Sequence, residues 1–369
     1  MPMASTGDQR AAENWWSIPM TYATNPRHPG ATFVLVRGDV ENQGEPVTAG
    51  VLSCVKALDS DDSGLTADAP EGQRRRQLAE WIASPRHPLT ARVMANRLWQ
   101  YHFGRGLVAT PSDFGVMGER PSHPELLDWL AGKFIASDWS IKALHRSIMM
   151  SDTYRQTSVT NGRVEEWKSG RNTFTSIRPL IHSSAQSGDS DKLIGRFPLR
   201  RLEAEAVRDA MLAVSGQLNF EAGGPGFRPF TVFVHNSHFY TLTDPPTPEF
   251  QRRTVYRINV GSARSPLLDG LDCPEPSVKS PARSVTTTPL QALGLMNNAF
   301  VQRQAAHFAE RLHREADTIN AQVDRAYQLA LGRLPTAAEA ARAIEHACVH
   351  GLPSLCWTLL NASEFVYVR

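Results

Sequence analysis

Residues 97–130, "RLWQYHFGRGLVATPSDFGVMGERPSHPELLDWL", have apolar side chains at helical spacing at both ends and a centre rich in glycine and proline. The helix that leads into this stretch is predicted to have one inward face, made of Ala91, Met94, Ala95, Leu98 and His102. Gly104 comes directly after that pattern, and a glycine in this position is typical of a helix C-terminus. The stretch therefore predicts a helix, a Gly-rich loop and a second helix.

A capping box predicts where the second helix begins. Ser122 and Glu125 are three residues apart, the spacing at which a hydroxyl and a carboxylate satisfy two free backbone amides at a helix start. Apolar residues follow at Leu126, Leu127, Leu130 and Phe134. Ser140 is placed to cap one more helix, which would run through Ile148.

Helical patterns continue on both sides of this region. Leu78, Trp81 and Ile82 follow i, i+3, i+4 spacing, and Pro85 is expected to end their helix. Further along, "LRRLEAEAVRDAMLAVSG" predicts a helix that Gly216 ends. The residues predicted to face inward on it are Leu202, Ala206, Ala210, Ala213 and Val214.

The last third of the chain is predicted to be helical again. Thr288 is placed as an N-cap, with Pro289 at the first helical position and Gln291 three residues after the cap. Thr336 and Glu339 repeat the capping pattern for a later helix. Two helices with well-defined starts are therefore expected in this region.

Strand patterns are few. "ATFVLVRGD" (31–39) predicts one strand with no obvious partner, and residues 220–285 hold short strand-like runs between turns. Residues 156–198 are polar and poorly patterned, which predicts a long exposed loop. The predicted fold is therefore mainly α, a multi-helix globular domain with a small β-rich or irregular excursion around residues 220–285.

The composition is that of a soluble globular protein, with 41% hydrophobic and 21% charged residues. A net charge of +2 gives no strong field that would draw the whole molecule to nucleic acid or to a membrane. No apolar run reaches the roughly 18 residues that a membrane span needs. The start, "MPMASTGDQRAAENWW", lacks the basic and apolar regions of a signal peptide, so the chain as written is expected in the cytoplasm.

The four cysteines are Cys54, Cys273, Cys348 and Cys356. They form neither C-x-x-C nor C-x-x-C-H, so zinc-ribbon and covalent haem motifs are missing, and no cofactor is expected in this chain. Pro353 argues against a single helix through both Cys348 and Cys356. Buried or free thiols are the expected state.

The Gly-rich loop contains Asp113-Phe114-Gly115, the triplet that holds magnesium in protein kinases. The nucleotide-binding Gly-rich loop and the His-Arg-Asp loop of kinases are missing from the sequence, so we interpret the triplet as a coincidence. Arg105, Asp113 and His123 nevertheless crowd this loop between two helices. We take these three residues as candidate binding residues.

A metal site is a second interpretation of the same region, because imidazole and carboxylate groups suit zinc or iron. Such a site would be assembled from His102, Asp113, His123 and His145. Their spacings match no recognised ligand pattern, and capping or the helix C-terminus explains two of the histidines. No metal ligand is therefore assigned from the sequence.

The segment "FVHNSHFY" (233–240) holds a second histidine cluster. On one continuous strand His235 and His238 would point to opposite faces, unless Asn236 and Ser237 supply a turn. The aromatic residues of this segment either pack in a small sheet or line a surface for a carbohydrate or a partner, since aromatic faces beside hydrogen-bonding groups suit sugars. His235 and His238 are therefore also candidate binding residues.

Other catalytic patterns are weak. The sequence has no G-x-S-x-G, C-G-x-C-W or GxxxxGK[ST] motif. Glu203 and Glu205 lie two apart on a predicted helix and are expected to diverge, with Glu205 facing Arg208 and Asp209 in a surface charge network. Three basic clusters, "QRRRQLAEW", "PLRRLEAE" and "FQRRTVYR", have Glu nearby and are interpreted as salt-bridged helix starts. They argue against a nucleic-acid surface.

Several long motifs resemble a single family. They include "HPLTARVMANRLWQYHFGRGLVATPSDFGVMGERPSHPELLDWLA", "DWSIKALHRSIMMSDTYRQTS", "RRLEAEAVRDAMLAVSGQLN", "RSVTTTPLQALGLMNN" and "ALGRLPTAAE". These stretches resemble the planctomycete PSD-type domain of unknown function, which forms the C-terminal half of large cytochrome-c-domain proteins. The resemblance covers most of residues 74–369. Residues 159–195 depart from the short connection that is usual in the family.

The resemblance implies a domain organisation and a cellular setting. Residues 1–73 would be the junction or linker tail of a preceding domain, and residues 74–369 the PSD-type helical domain. Family members usually carry a signal peptide and bind haem in a separate domain, which implies a c-type cytochrome domain or a glycan as partner. It also implies a periplasmic or other extracytoplasmic location if the N-terminus is truncated. No catalytic residues are established for the family, so none is carried over.

Three functions stay open at this point. The first is a non-catalytic accessory or binding module of an exported, cytochrome-associated, polysaccharide-processing system. The second is a hydrolytic or redox enzyme with a site assembled from dispersed His, Asp and Arg, which a deep pocket holding His102, His123 or His235 beside a carboxylate would favour. The third is nucleic-acid binding, which requires the three Arg clusters to share one face.

Overall fold

The computed structural model describes residues 30–52, 55, 69–156 and 197–368. Within these ranges there are twelve α-helices and six short strands, so the chain is mainly α, as predicted. Contacts group the chain into two compact units, Met1–Met150 and Ser151–Arg369. Among the described helices none is long and apolar enough to cross a membrane. The expected loop at 159–195 lies outside the described residues, and the predicted domain boundary at residue 74 stays a prediction.

The described part of the first unit begins with a two-stranded antiparallel hairpin, β1 (Thr32–Leu35) and β2 (Gln43–Val47). The expectation of a strand without a nearby partner is therefore wrong. Strand β2 is not predicted from the sequence, because Gly44 and Pro46 are residue types that disfavour strands. Pro46 is tolerated because both strands of a two-stranded sheet are edge strands.

Among the described residues of this unit four helices follow: α1 (Glu71–Ala83), α2 (Thr90–Phe103), α3 (Pro124–Ala136) and α4 (Ile141–Met149). Helices α2, α3 and α4 pack against one another. The buried side chains that join them include Ala95, Leu98, Leu127, Leu130, Phe134, Leu144 and Ile148. Helix α1 has no buried residue, although its apolar spacing correctly predicted a helix.

The ends of these helices test the capping predictions. Gly104 takes the left-handed conformation (φ +80°) after α2, and the Ser140 hydroxyl accepts a hydrogen bond from the Ala143 amide at the start of α4. The capping box predicted at Ser122 is wrong. Helix α3 begins at Pro124 after His123, whose side chain makes no capping bond. Proline at the first helical position has no amide to satisfy, which removes part of the need for a cap.

The second unit holds the remaining elements. Its strands are β3 (Arg200–Arg201), β4 (Phe230–Val234), β5 (His238–Leu242) and β6 (Tyr367–Val368). Its helices are α5 (Ala204–Ser215), α6 (Pro266–Gly270), α7 (Pro289–Asn297), α8 (Ala299–Glu315), α9 (Ile319–Leu331), α10 (Ala337–His350), α11 (Leu352–Leu360) and α12 (Ser363–Val366). Two 3₁₀ turns, Pro248–Gln251 and Thr254–Tyr256, lie with β4 and β5 in the predicted irregular excursion.

Helix α8 is at the centre of this unit and packs on α5 and α11. Phe308 and Leu312 of α8 are fully buried, as are Met211 and Leu212 of α5. The predicted inward face of α5 is wrong in part, since Ala206 and Ala213 are exposed. The buried face of α5 includes Arg208. Because a sequence pattern assigns an arginine to the surface, the predicted inward face differs from the observed one.

Capping and breaking residues separate the C-terminal helices as predicted. Complete capping boxes start α7 at Thr288 with Gln291 and α10 at Thr336 with Glu339. Gly351 (φ +84°) ends α10, so Cys348 and Cys356 lie on different helices. The first and last elements of the unit then meet, because β3 pairs with β6 in antiparallel register.

Candidate functional site

The Gly-rich loop between α2 and α3 is fixed by one buried amide. Asn96 Nδ2 donates to the Val108 carbonyl at 3.0 Å, and Asn96 Oδ1 accepts from the Val108 amide at 2.8 Å. The loop packs too tightly for side chains at two glycines. A Cβ on Gly106 would lie 2.7 Å from Asn96 Nδ2, and a Cβ on Gly118 would lie 2.1 Å from the Asp113 carbonyl oxygen.

The candidate binding residues of this loop bond to their local neighbours. Arg105 Nη2 lies 3.3 Å from Glu119 Oε2, and Asp113 Oδ1 accepts from the Gly115 amide at 2.8 Å. His123 Nδ1 lies 3.1 Å from the hydroxyl of the preceding serine. Within the described hydrogen bonds and ion pairs, none joins Arg105, Asp113 and His123 to one another. Their role in binding stays a prediction, and the kinase-like triplet forms a local turn.

Two of the four residues considered for a metal site do meet. His102 Nε2, at the end of α2, lies 2.7 Å from His145 Nδ1 of α4, with the rings 4.9 Å apart at 72°. Asp113 and His123 make their bonds within the loop instead. In the described part of the chain no three His, Cys, Asp or Glu side chains are grouped to hold a metal ion.

The second histidine cluster lies on the β4–β5 ribbon, the antiparallel pair Phe230–Val234 and His238–Leu242. A turn separates the two strands, with the His235 amide donating to the Ser237 carbonyl at 3.0 Å. His238 pairs with Val234 on one side of the ribbon. The two histidines therefore lie at the turn and just after it, rather than on one continuous strand.

The opposite side of this ribbon is an exposed aromatic surface. Phe233 pairs directly across the strands with Phe239, and Thr231 pairs with Thr241. Residues directly opposite in an antiparallel pair share a face, and so do residues two apart on a strand. Phe233 is 67% exposed and Phe239 is 51% exposed. We call these four residues, Thr231, Phe233, Phe239 and Thr241, the aromatic face.

The ribbon carries almost no charge. From residue 229 to residue 243 the sequence has no Asp, Glu, Lys or Arg. The other side of the ribbon is held by a ring contact between Phe230 and Tyr240, whose centroids are 5.4 Å apart at 82°. A sequence pattern indicates the aromatic residues, but the strand register that places two of them side by side comes from the structure.

Buried arginines hold the irregular segment around residues 220–285 in place through hydrogen bonds to its carbonyl groups. Arg208 of α5 donates to the carbonyls of Phe250, at 2.6 Å, and Arg252, at 3.2 Å. Arg252 in turn donates to the Pro225 carbonyl at 2.9 Å and lies over the Tyr256 ring at 4.1 Å. Burial lowers the pKa of Arg208 below its usual value. These guanidinium groups hold loop carbonyls to α5.

A second arginine network joins β3, the end of α6 and the start of α7. Arg201 Nη2 donates to Asp272 Oδ2 at 2.7 Å, and the Thr286 amide donates to the same oxygen at 2.8 Å. Burial would raise the pKa of Asp272, but the hydrogen bonds from Thr286 and Arg201 lower it below its usual value. The basic clusters of the second unit are thus buried in part, and Arg201 is paired with a carboxylate outside its own cluster.

Glu203 and Glu205 do not diverge as predicted. Both carboxylates contact Arg283, at 3.4 Å and 2.6 Å respectively, and not the buried guanidinium of Arg208. The Cys273 thiol donates to Glu205 Oε1 at 3.6 Å. Burial and the Glu205 charge raise the pKa of Cys273 to about 11, so this thiol is protonated at neutral pH and a poor nucleophile.

Two clefts formed by described residues are shallow, each with room for about one water molecule. The first is lined by Asn259, Arg264, Leu268, Asp269, Cys273 and Pro274. The second is lined by Arg208, Asp244, Phe250, Phe300, Arg303 and Gln304. Neither cleft is lined by His102, His123 or His235, the histidines whose presence in a deep pocket would favour an enzyme.

Comparison with known proteins finds one family. The sequence model of PSD1, described as a protein of unknown function (DUF1553), matches residues 74–347. No curated protein matches the chain. No solved structure matches it either.

Proposed function

The chain belongs to the PSD1 family of proteins of unknown function, and we propose that it is a non-catalytic accessory module that binds a neutral polysaccharide through the aromatic face. The observation that carries this proposal is the exposed cross-strand pair Phe233 and Phe239. Exposed apolar side chains that adjoin one another, rather than single ones, mark binding surfaces, and these two rings are direct cross-strand neighbours. In this proposal the module works with an exported, c-type-cytochrome-associated, polysaccharide-processing system, the setting that the family resemblance of the sequence implies.

The chemistry of the aromatic face fits a sugar ring. A pyranose presents C–H groups on its faces and hydroxyls on its rim. Phe233 and Phe239 lie side by side and offer rings for the C–H groups. Thr231 and Thr241 pair two residues further along the same face and offer hydroxyls that both donate and accept. Such a face suits an extended chain of sugars, which needs no enclosing pocket.

The lack of charge selects the class of polysaccharide. Sulfated and uronic-acid chains are usually bound by Arg or Lys, and residues 229–243 have neither. Arg201, Arg208 and Arg252 are buried and already donate to protein oxygens. The same burial keeps Arg201 and Arg252, which belong to two of the basic clusters, from contacting nucleic acid.

The test is a binding assay with tag-free protein and soluble neutral polysaccharides, by affinity electrophoresis and calorimetry. A Phe233→Ser/Phe239→Ser variant should lose about 1–3 kcal/mol of binding free energy, roughly 5- to 150-fold in Kd. Its melting temperature should stay near that of the wild type, because both rings are largely exposed.

The matched control changes the other side of the same ribbon. Val232→Ser/Val234→Ser removes two exposed apolar residues that do not belong to the aromatic face. It should leave binding unchanged. Retained affinity in the phenylalanine variant, or binding to sulfated chains alone, would contradict the proposal.

A second candidate function is favoured by one observation, the contact between His102 and His145. Two imidazoles in hydrogen-bond contact can pass a proton, which is the requirement for general acid–base catalysis by a hydrolase. The same polysaccharides should then be cleaved, and new reducing ends should appear in wild-type samples and vanish in His102→Gln. Binding without cleavage supports the accessory module.

A further inference from the structure

The sequence "EHACVHG" (345–351) places His346 and His350 four residues apart in the last two turns of α10. We infer that these two histidines form a site for a divalent transition-metal ion of the copper, nickel or zinc class. Residues at i and i+4 of a helix are neighbours on its surface. No metal ligand was assigned here from the sequence.

The ring geometry fits two ligands of one ion. The centroids of the His346 and His350 rings are 4.8 Å apart, and the rings are tilted by 46°. Two nitrogens bound tetrahedrally at about 2.0–2.1 Å lie roughly 3.3 Å from each other. The terminal torsion of a histidine is soft, so small ring rotations can bring one nitrogen of each ring to that separation.

A serine on the next helix orients one of the rings. His346 Nε2 lies 2.9 Å from the Ser354 hydroxyl of α11. A hydrogen bond at one ring nitrogen fixes the tautomer and directs the other nitrogen toward a metal ion. When Nε2–H of His346 donates to the Ser354 hydroxyl oxygen, Nδ1 carries the lone pair that binds the ion, and Ser354 is a positioning residue.

The position on the helix also favours a cation. His350 is the last residue of α10 and is exposed, and His346 is half-buried one turn before it. The last carbonyls of a helix carry partial negative charge, which stabilises a positive ion nearby. A helix end that is open to solvent also gives the ion a path in.

The chemistry of the pair sets the metal class and the strength of binding. Imidazole suits copper, nickel and zinc, whereas magnesium and calcium prefer oxygen ligands. Because no third His, Cys, Asp or Glu joins the pair among the described residues, water would fill the other positions. The site is therefore expected to bind an exchangeable ion rather than a permanent structural one.

The experiment uses the full-length chain after tag removal, titrated with Cu(II) and followed by electron paramagnetic resonance and by calorimetry. The wild type should take up one Cu(II) with two imidazole nitrogens in its first coordination sphere. His346→Gln and His350→Gln should each weaken this binding by at least tenfold. Ser354→Ala should weaken it by roughly tenfold, as expected when a hydrogen bond to a ligand is lost.

The controls separate this pair from other groups that bind copper. His307→Gln changes a half-buried histidine that pairs with Glu310 on α8 and should leave the site intact. Cys348→Ser removes the nearest exposed thiol and should also have no effect. The inference is overturned if the two histidine variants keep wild-type affinity, or if the cysteine variant loses it. Circular-dichroism melts confirm that each variant is folded.

Discussion

At the residue scale, Asn96 decides whether the Gly-rich loop keeps its shape. Its amide pairs with both backbone groups of Val108 inside the first unit. Asn96→Ala leaves a buried amide and a buried carbonyl without partners, and we expect a loss of about 2–4 kcal/mol in the free energy of unfolding. Urea denaturation measures this value. Arg97→Ala, an exposed neighbour on α2, should change it by less than about 0.5 kcal/mol.

The three described cysteines are expected to differ in reactivity, because their thiols differ in burial and in the charges near them. Burial raises the pKa of Cys356 to about 12, and burial with the Glu205 charge raises that of Cys273 to about 11. Only the thiolate is alkylated. With iodoacetamide at pH 8, peptide mass spectrometry should show exposed Cys348 modified well before Cys273 and Cys356. Equal alkylation rates for Cys273 and Cys348 in the folded protein would refute this order. In urea, where the chain is unfolded, the difference in rate between the thiols should disappear.

At the scale of elements, Arg333 ties the start of α10 to α12. Its guanidinium contacts both carboxylate oxygens of Glu339 and of Glu364, at 2.8–2.9 Å. These bonds, from Arg333 first and from the Thr336 amide, lower the pKa of Glu339 from 4.5 to about 2. A lowered carboxyl pKa adds stability that is present above pH 4.5 and is lost as the pH falls toward 2.

The lowered pKa of Glu339 determines the outcome expected for Glu339→Gln. The variant should lose about 1–2 kcal/mol at pH 7, and its free energy of unfolding should fall less steeply than that of the wild type between pH 4.5 and pH 2. Chemical denaturation across that pH range measures both. Glu345→Gln, exposed on the same helix, is the control. Parallel pH profiles for the wild type and Glu339→Gln would show that the carboxylate does not titrate with folding.

Sequence patterns predicted elements well where the physics is local. The Thr288 and Thr336 caps and the Gly216 stop depend on neighbouring residues, and all three are confirmed. The predicted inward face of α5 was wrong in part, because Arg208 is buried and donates to carbonyls some 40 residues further along the chain. The pairing of Phe233 with Phe239 depends on a strand register that single-residue propensities do not determine.

At the scale of the whole molecule, the second unit has its own hydrophobic core. The large buried cluster draws all its members from residues 204–366. A fragment of residues 197–369 should therefore fold alone, with a helical circular-dichroism spectrum and one cooperative thermal transition. A fragment of residues 200–340 lacks α11 and should not fold, because α11 packs on α8. A gradual melt of the longer fragment would show that its core needs further residues.

Because β3 pairs with β6, the order in which the elements between them follow one another along the chain can be changed. Arg200 lies opposite Val368, so the two ends of the segment 200–368 are one strand spacing apart. A short linker between them would close this segment into a ring, and new ends could then be opened at the exposed turn between β4 and β5. A circular permutant made in this way keeps every packed helix contact. The unit can equally be grafted into a surface loop of a host protein, because it enters and leaves through neighbouring points.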